Sequence, residues 1–286
     1  MIERLCIIGV GLIGGSLARA LRDAGFCQQI VGAGRSADNL QKAVELGVID
    51  SYTTDLAQAV RGADMVFVAV PLGAMQSVFS AIRGQLADGA VVTDAGSAKG
   101  SVLDDVQQVF GEVPGFFVPG HPIAGTEQSG VEASFVDLYR NHRVILTPVE
   151  STNATAVSRV RAMWEAAGAE VVEMDPLHHD AVLAATSHLP HLLAFTLVDS
   201  LVRMADRQEV FEYAASGFRD FTRIASSDPV MWRDICLANH DAIHLLIEHF
   251  ISDLTRVNRA VHAQDGDRLL EIFANAKDAR DRFVEK

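Results

Sequence analysis

The sequence predicts an α/β protein, an N-terminal doubly wound parallel sheet followed by an all-α C-terminal region. Three observations carry that reading. Short apolar runs alternate with helically spaced segments through the first part of the chain. A glycine-rich turn joins the first apolar run to the first helical one. After Pro176 the strand pattern stops and only helical spacing remains.

Each element follows from its residues. Residues 4–8 form the first strand and 14–24 the helix behind it. Residues 29–33 read as the second strand and 37–46 as a helix. Residues 64–70 are a nearly continuous apolar run stopped by Pro71, as a parallel strand buried on both faces should be. Residues 89–94 are the next strand, leading into a helix over 99–110. Two short strands follow at 116–118 and 143–147. Residues 155–167 then space Val157, Val160, Met163 and Trp164 helically, and 170–174 close the alternation. In the C-terminal region the clearest helix covers 232–261, with Ile235, Ile243, Leu246, Ile247, Phe250, Leu254, Val257 and Val261 along one side.

The turn Gly9-Val10-Gly11-Leu12-Ile13-Gly14 has the spacing G-x-G-x-x-G between a strand and a helix, the context in which it binds a dinucleotide. Gly9 allows the tight turn, Gly11 lets a pyrophosphate approach the backbone, and Gly14 lets helix and strand pack closely. The helix N-terminus, with Leu12 and Ile13, offers backbone N–H groups to the anion. The first domain is therefore a Rossmann-type nucleotide-binding domain, residues 1–175. Residues 176–286 form a helical substrate and dimerisation domain, its apolar faces suited to a second copy.

Strand two ends Gly32-Ala33-Gly34-Arg35-Ser36, with no carboxylate before Asp38. A carboxylate there would bind the ribose 2′-hydroxyl of NAD and repel a 2′-phosphate. Arg35 and Ser36 form a phosphate-receptive pair, which favours NADP, used alone or alongside NAD. The alternative is an arginine stacked on the adenine, tolerating either cofactor. Val70 and Pro71, at a strand's carboxyl end, are placed to touch the nicotinamide ribose.

The net charge of −13 argues against nucleic acid and anionic membranes as partners. The chain begins with a strand and has neither a basic leader nor an apolar run of spanning length, so a cytoplasmic protein is expected. Cys6, Cys27 and Cys236 lack metal-ligand spacing, and Cys6 reads as a reduced core thiol.

Four further segments carry polar chemistry in an apolar setting: Asp94-Ala95-Gly96-Ser97-Ala98-Lys99; Gly120-His121-Pro122-Ile123-Ala124-Gly125-Thr126-Glu127; Ser187-His188-Leu189-Pro190-His191; and Phe218-Arg219-Asp220-Phe221-Thr222-Arg223-Ile224-Ala225, followed by Trp232. By itself Ser97 could be only a helix cap. His121, in a glycine-rich loop, is suited to proton transfer. His240 and His244 have the i, i+4 spacing of a zinc pair, and His178-His179-Asp180 is a local cluster. No glutamate or cysteine completes the usual ligand sets at tight spacing, so these read as surface or interface histidines and no metal is expected.

Together with the glycine turn, these blocks resemble the prephenate and arogenate (cyclohexadienyl) dehydrogenase family of tyrosine biosynthesis, in the family's order, from Ile7 to about Asp234. The resemblance implies oxidative decarboxylation of a cyclohexadienol with hydride transfer to NAD or NADP. It assigns His121 as the group that accepts the 4-hydroxyl proton, with Ser97 orienting that hydroxyl. Arg223 would bind a substrate carboxylate, His191 would face the side chain, Thr126 and Glu127 would gate the pocket, and Asp220 and Trp232 would shape it. The expected partners are a small anionic substrate, a second copy of the chain, and tyrosine as a competitive inhibitor. An arogenate-specific enzyme is one alternative, and a non-catalytic nucleotide sensor is another that leaves His121, Ser97 and Arg223 without purpose. A 6-phosphogluconate-type mechanism fails, because it needs a catalytic lysine where lysines are nearly absent.

Overall fold

The computed structural model describes residues 1–204 and 211–284. By backbone packing the chain divides into Met1–His240 and Asp241–Lys286. The first unit is built on β1 (Ile2–Ile8), α1 (Leu12–Asp23), β2 (Cys27–Ala33), α2 (Ala37–Glu45), β3 (Ser51–Thr53), α3 (Leu56–Ala59), β4 (Met65–Val68), α4 (Met75–Ile82), β5 (Val91–Asp94), α5 (Lys99–Phe110) and β6 (Phe117–Val118). These six strands form one parallel sheet in the order β3-β2-β1-β4-β5-β6. The order reverses between β1 and β4, so their carboxyl ends open a crevice for a ligand.

Strand alternation explains the two cores. Leu5 and Ile7 face one side, with α1, α2 and Trp164. Cys6 and Ile8 face the other, with α3, α4 and α5. Both faces are covered, which is why β1 and β4 lack polar alternation. Burial pushes the Cys6 thiol up to about 12, so it stays an inert thiol in the core.

β7 (Gly120–Pro122), β8 (Arg143–Leu146) and β9 (Glu170–Glu173) form a separate three-stranded sheet, β7–β8 antiparallel and β8–β9 parallel. Between β8 and β9 runs α6 (Ala154–Ala166). The sequence pattern puts His121 in a loop; in the structure it lies on β7, opposite Ile145. A three-residue strand that begins with glycine and ends with proline is too short to show a period of two, so its pattern cannot reveal it. The short β3 and α3 escape the sequence pattern for the same reason. By contrast α4, also absent from the sequence expectation, carries Met75, Val78, Phe79 and Ile82 at plain helical spacing.

After β9 the first unit is helical: α7 (Pro176–Leu183), one wide π-helical turn (Ala184–His188), α8 (Leu189–Val202), α9 (Ser216–Thr222) and α10 (Pro229–Ala238). Asp175 caps α7, accepting from the His178 N–H at 3.0 Å, with Pro176 in the first turn where its missing N–H costs nothing. Pro190 explains the wide turn: it cannot donate backward, and its ring crowds the preceding carbonyls. Contrary to the sequence expectation, the helical run Pro176–Val202 is long and apolar enough to cross a membrane. Its polar residues, however, are hydrogen-bonded into the sheet unit at His179 and Asp180. The single helix expected over 232–261 is broken at Asn239 (φ −116°, ψ 36°), whose short amide competes with helical hydrogen bonding.

The second unit consists of α11 (His240–His262) and α12 (Gly266–Val284). Along these helices Leu245, Ile251, Leu254, Val261, Leu270 and Phe273 are exposed. Residues 205–210 and 285–286, part of the expected helical domain, lie outside the described residues.

Candidate active site

The cofactor cradle begins at Gly9 (φ +98°), where a Cβ would stand 2.2 Å from the Ala69 carbonyl oxygen on the neighbouring strand. At Gly14 a Cβ would stand 2.2 Å from the Gly9 carbonyl oxygen, so strand and helix touch there. Gly11 differs: a Cβ would meet nothing within 4 Å. It faces open space in front of α1, whose N-terminus has no side-chain cap. Open space, uncapped N–H groups and a positive helix end fit a pyrophosphate. Leu12 is buried and Ile13 is half-buried, its carbonyl taken by the Tyr139 hydroxyl at 2.6 Å. Arg35 is exposed and makes no hydrogen bond or ion pair among the described residues. Ser36 caps α2 by accepting from the Asn39 N–H at 3.2 Å, which leaves its hydroxyl proton free to donate. Val70 is half-buried and Pro71 exposed just past β4, on the crevice edge.

Beneath the crevice lies a buried polar frame. Asp94 ends β5 and accepts from the N–H of Gly96 (2.7 Å), the N–H of Gly120 (3.0 Å) and Lys99 Nζ (2.5 Å). Lys99 also donates to the Gly120 carbonyl at 2.7 Å. Both charged side chains are fully buried. The pair clamps both backbone polar groups of Gly120, and so fixes the residue beside His121. Burial pulls the Lys99 ammonium below its ordinary value, against the raising effect of Asp94.

His121 is buried, and its Nδ1 lies 2.9 Å from His179 Nε2. His179 Nδ1 lies 2.8 Å from Asp180 Oδ1. The Asp180 carboxylate also accepts the N–H groups of Lys99 (2.7 Å) and Gly100 (2.8 Å), so it caps α5 from another helix. Ser97 is therefore not the cap. Ala98 holds that position, and the Ser97 hydroxyl makes no hydrogen bond among the described residues. Burial chiefly, then the neighbouring His179, Lys99 and His188, holds His121 well below the usual histidine range. Burial also lowers His179, opposed by Asp180. For Asp180, burial would raise the carboxyl, but the hydrogen bonds from His179, Lys99 and Gly100 outweigh it and hold it low.

One expectation from sequence is corrected here. His179 is not a surface histidine: only His178 of the pair is exposed, and His179 is fully buried against His121. The available signal was a polar pair interrupting a helical face that continues through Leu183, Ala184 and His188.

His191 donates Nδ1–H to the Ser187 carbonyl at 2.9 Å and stacks on Trp232 with ring centroids 3.8 Å apart. Burial lowers its pKa. Trp232 is buried. His188, buried in the wide turn, is lowered to about 4 chiefly by desolvation, and its Nδ1 lies 3.2 Å from the Asn239 amide. Arg223 and Glu127 are joined in an ion pair at the surface, bringing together two distant sequence blocks. Among the described residues no ion pair joins Arg223 to Asp220 or Asp228, the acidic residues near it in sequence. Thr126 is exposed, its hydroxyl accepting from the Gln128 N–H at 3.2 Å. Asp220 is exposed on α9 without a side-chain partner among the described residues, so its pocket-shaping role has no contact behind it. Among the described residues no group of histidine, cysteine and carboxylate ligands could hold a metal.

The nucleotide-binding domain model of prephenate dehydrogenase matches residues 17–173, and the prephenate dehydrogenase dimerization domain model matches 175–275. The chain is 39% identical to the cyclohexadienyl dehydrogenase of Zymomonas mobilis, over 97% of this chain and 95% of that one. It is 36% identical to the prephenate dehydrogenase of Bacillus subtilis, over 98% and 76%. Among solved structures, prephenate dehydrogenase from A. aeolicus in complex with hydroxyphenyl propionate and NAD+ superposes with a TM-score of 0.92 at 38% identity, covering 99% of both chains. Arogenate dehydrogenase from Synechocystis superposes with a TM-score of 0.81 at 26% identity, over 98% of this chain and 100% of that one. On its sequence, its sheet order and its two matched domains, this chain belongs to the prephenate dehydrogenase family.

Proposed function

We infer that the protein is an NAD(P)-dependent dehydrogenase that oxidatively decarboxylates prephenate, arogenate or both, yielding 4-hydroxyphenylpyruvate or tyrosine. The observation that carries the reading is a buried His121, held well below the usual histidine range and hydrogen-bonded at Nδ1 to His179. A bound nicotinamide supplies the hydride acceptor. As C4 is oxidised its hydroxyl becomes acidic, and a neutral imidazole can take the proton. Ser97, with its hydroxyl uncommitted, orients that oxygen. The buried frame of Asp94 and Lys99 keeps β7 in place through the Gly120 backbone.

The substrate is anionic, and Arg223 provides a guanidinium that can grip a carboxylate with two parallel hydrogen bonds. In the structure Glu127 holds Arg223. Substrate carboxylate and Glu127 thus compete for one cation, which gives Glu127 and the adjoining Thr126 a gating role. His191 and Trp232 form a flat wall suited to the side chain, and Asp220 is assigned to the rim. Tyrosine, carrying the product ring and a carboxylate, would inhibit by occupying the same pocket.

For the cofactor, Gly9, Gly11, Leu12, Ile13 and Gly14 form the pyrophosphate cradle, with Val70 and Pro71 at the ribose. The unpaired Arg35 and the free Ser36 hydroxyl proton support NADP use, alone or shared with NAD. An NAD-to-NADP ratio of kcat/KM far above one would contradict this. This reading puts the domain boundary near residue 175, whereas backbone packing groups the residues up to His240 with the sheet. The protein is proposed to act in the cytoplasm as a homodimer formed through its C-terminal helices. The direct test of activity is to supply prephenate and arogenate with each cofactor and compare kcat/KM. Reduced cofactor and carbon dioxide should appear in equal amounts, and turnover of neither substrate would refute the reading.

A further inference from the structure

Asp180 accepts three hydrogen bonds, from His179 Nδ1 and from the N–H groups of Lys99 and Gly100. Because the carboxylate is an acceptor, the His179 nitrogen facing it carries the proton. A neutral His179 then has a bare Nε2, and the group 2.9 Å away is His121 Nδ1. That nitrogen must be the donor, which leaves His121 Nε2 as the acceptor. The order of protons along the three residues is thus fixed from the far end.

We propose that His179 and Asp180 are a proton relay behind His121: they set its tautomer and take up the charge it would otherwise acquire during the reaction. The inference rests on His121 being the base. The substrate O–H bond breaks and its proton bonds to His121 Nε2. The His121 Nδ1–H bond breaks and that proton bonds to His179 Nε2. The result is a neutral His121 and an imidazolium on His179 beside the Asp180 carboxylate. The C4 hydrogen leaves with its electron pair to the hydride acceptor. When the C1–carboxylate bond breaks, its electron pair enters the ring, and the C4 oxygen recovers the proton from His121 Nε2. As it does so the proton on His179 returns to His121 Nδ1, so His121 stays neutral throughout and the enzyme ends as it began.

The surroundings suit this role. His121 faces Lys99 from the start of α5, His179 from α7 and His188 from the wide turn, while Asp94 and Asp180 act on His179. Lys99 is matched by Asp94. His188 is kept neutral by burial. The carboxylate nearest the relay is Asp180, and Asn239 donates to the Asp180 backbone carbonyl at 2.8 Å, holding that residue in place. His179 and Asp180 are positioning residues, since they act through His121.

Histidine ¹⁵N NMR of the cofactor-free protein near neutral pH tests the tautomers without any turnover. His121 and His179 should each carry hydrogen on Nδ1 and none on Nε2. A His121 bearing its proton on Nε2 would overturn the relay. His179→Gln supplies a kinetic test. Its kcat should fall by about 10²-fold with KM within a few-fold of the parent. The acid limb of its kcat–pH profile should shift, because the group that faces His121 Nδ1 and bears on its ionisation has been replaced. An unshifted limb with unchanged kcat would contradict the relay. Asp180→Asn also uncaps α5, so the NMR of the unaltered protein and the kinetics of the His179 variant decide the question. If the unaltered enzyme oxidised neither prephenate nor arogenate, the functional reading would fail, while the tautomer measurement would still decide the proton order.

Discussion

At the residue scale, two neighbouring glycines of the first turn play different parts. Gly9 is constrained by positive φ and by the Ala69 backbone, whereas Gly11 has empty space in front of it. Gly9→Ala should therefore damage folding, seen as a lowered Tm. Gly11→Val should leave Tm nearly unchanged and weaken cofactor binding, measured by fluorescence titration. Lys99 is a second discriminating residue. Replacing it with Met strands the buried Asp94 carboxylate, and breaking such a pair costs about 3–5 kcal/mol. Chemical denaturation checks that value. His121→Asn should retain substrate binding and lower kcat by about 10²–10⁴-fold. Arg223→Ala should raise KM with a smaller change in kcat. Single residues are legible from sequence where a motif or an unusual polar type marks them, as with His121 and Arg223. His179 is not, because its importance comes from a partner 58 positions away.

At the element scale, the sheet strands can be read because burial on both faces writes itself as uninterrupted apolar runs. Very short elements such as β3 and β7 leave no such record. The wide turn before α8 follows from Pro190, yet the histidines it aligns are visible only once the helix is built. This element also makes the protein sensitive to acid. His188 is pulled down to about 4 in the folded state, while in an unfolded chain it titrates near the ordinary histidine value of 6.5. Between those values the unfolded state binds more protons, so stability falls as pH drops from about 6.5 toward 4. His121 and His179 shift in the same direction and reinforce the trend. A Tm–pH series should show this loss, and His188→Gln should flatten it.

At the scale of the whole molecule, two domains from one family divide the work: a parallel sheet that cradles a dinucleotide, and helices whose exposed apolar residues suit a second copy. Light scattering should give about twice the chain mass of 30.8 kDa. A monomer at working concentration would contradict the dimer. The nucleotide-binding fold is legible in the strand, glycine turn and helix at the start of the chain. The reaction is legible only in blocks spread far beyond it, because the fingerprint encodes cofactor docking alone. Whether those blocks converge on one proton acceptor is the central claim. Its most direct measurement is the kcat–pH profile for prephenate oxidation by the unaltered enzyme and by His121→Asn. A single acid-limb ionisation should govern the unaltered enzyme and disappear, with most of kcat, in the variant. A variant retaining both the limb and near-normal kcat would contradict it.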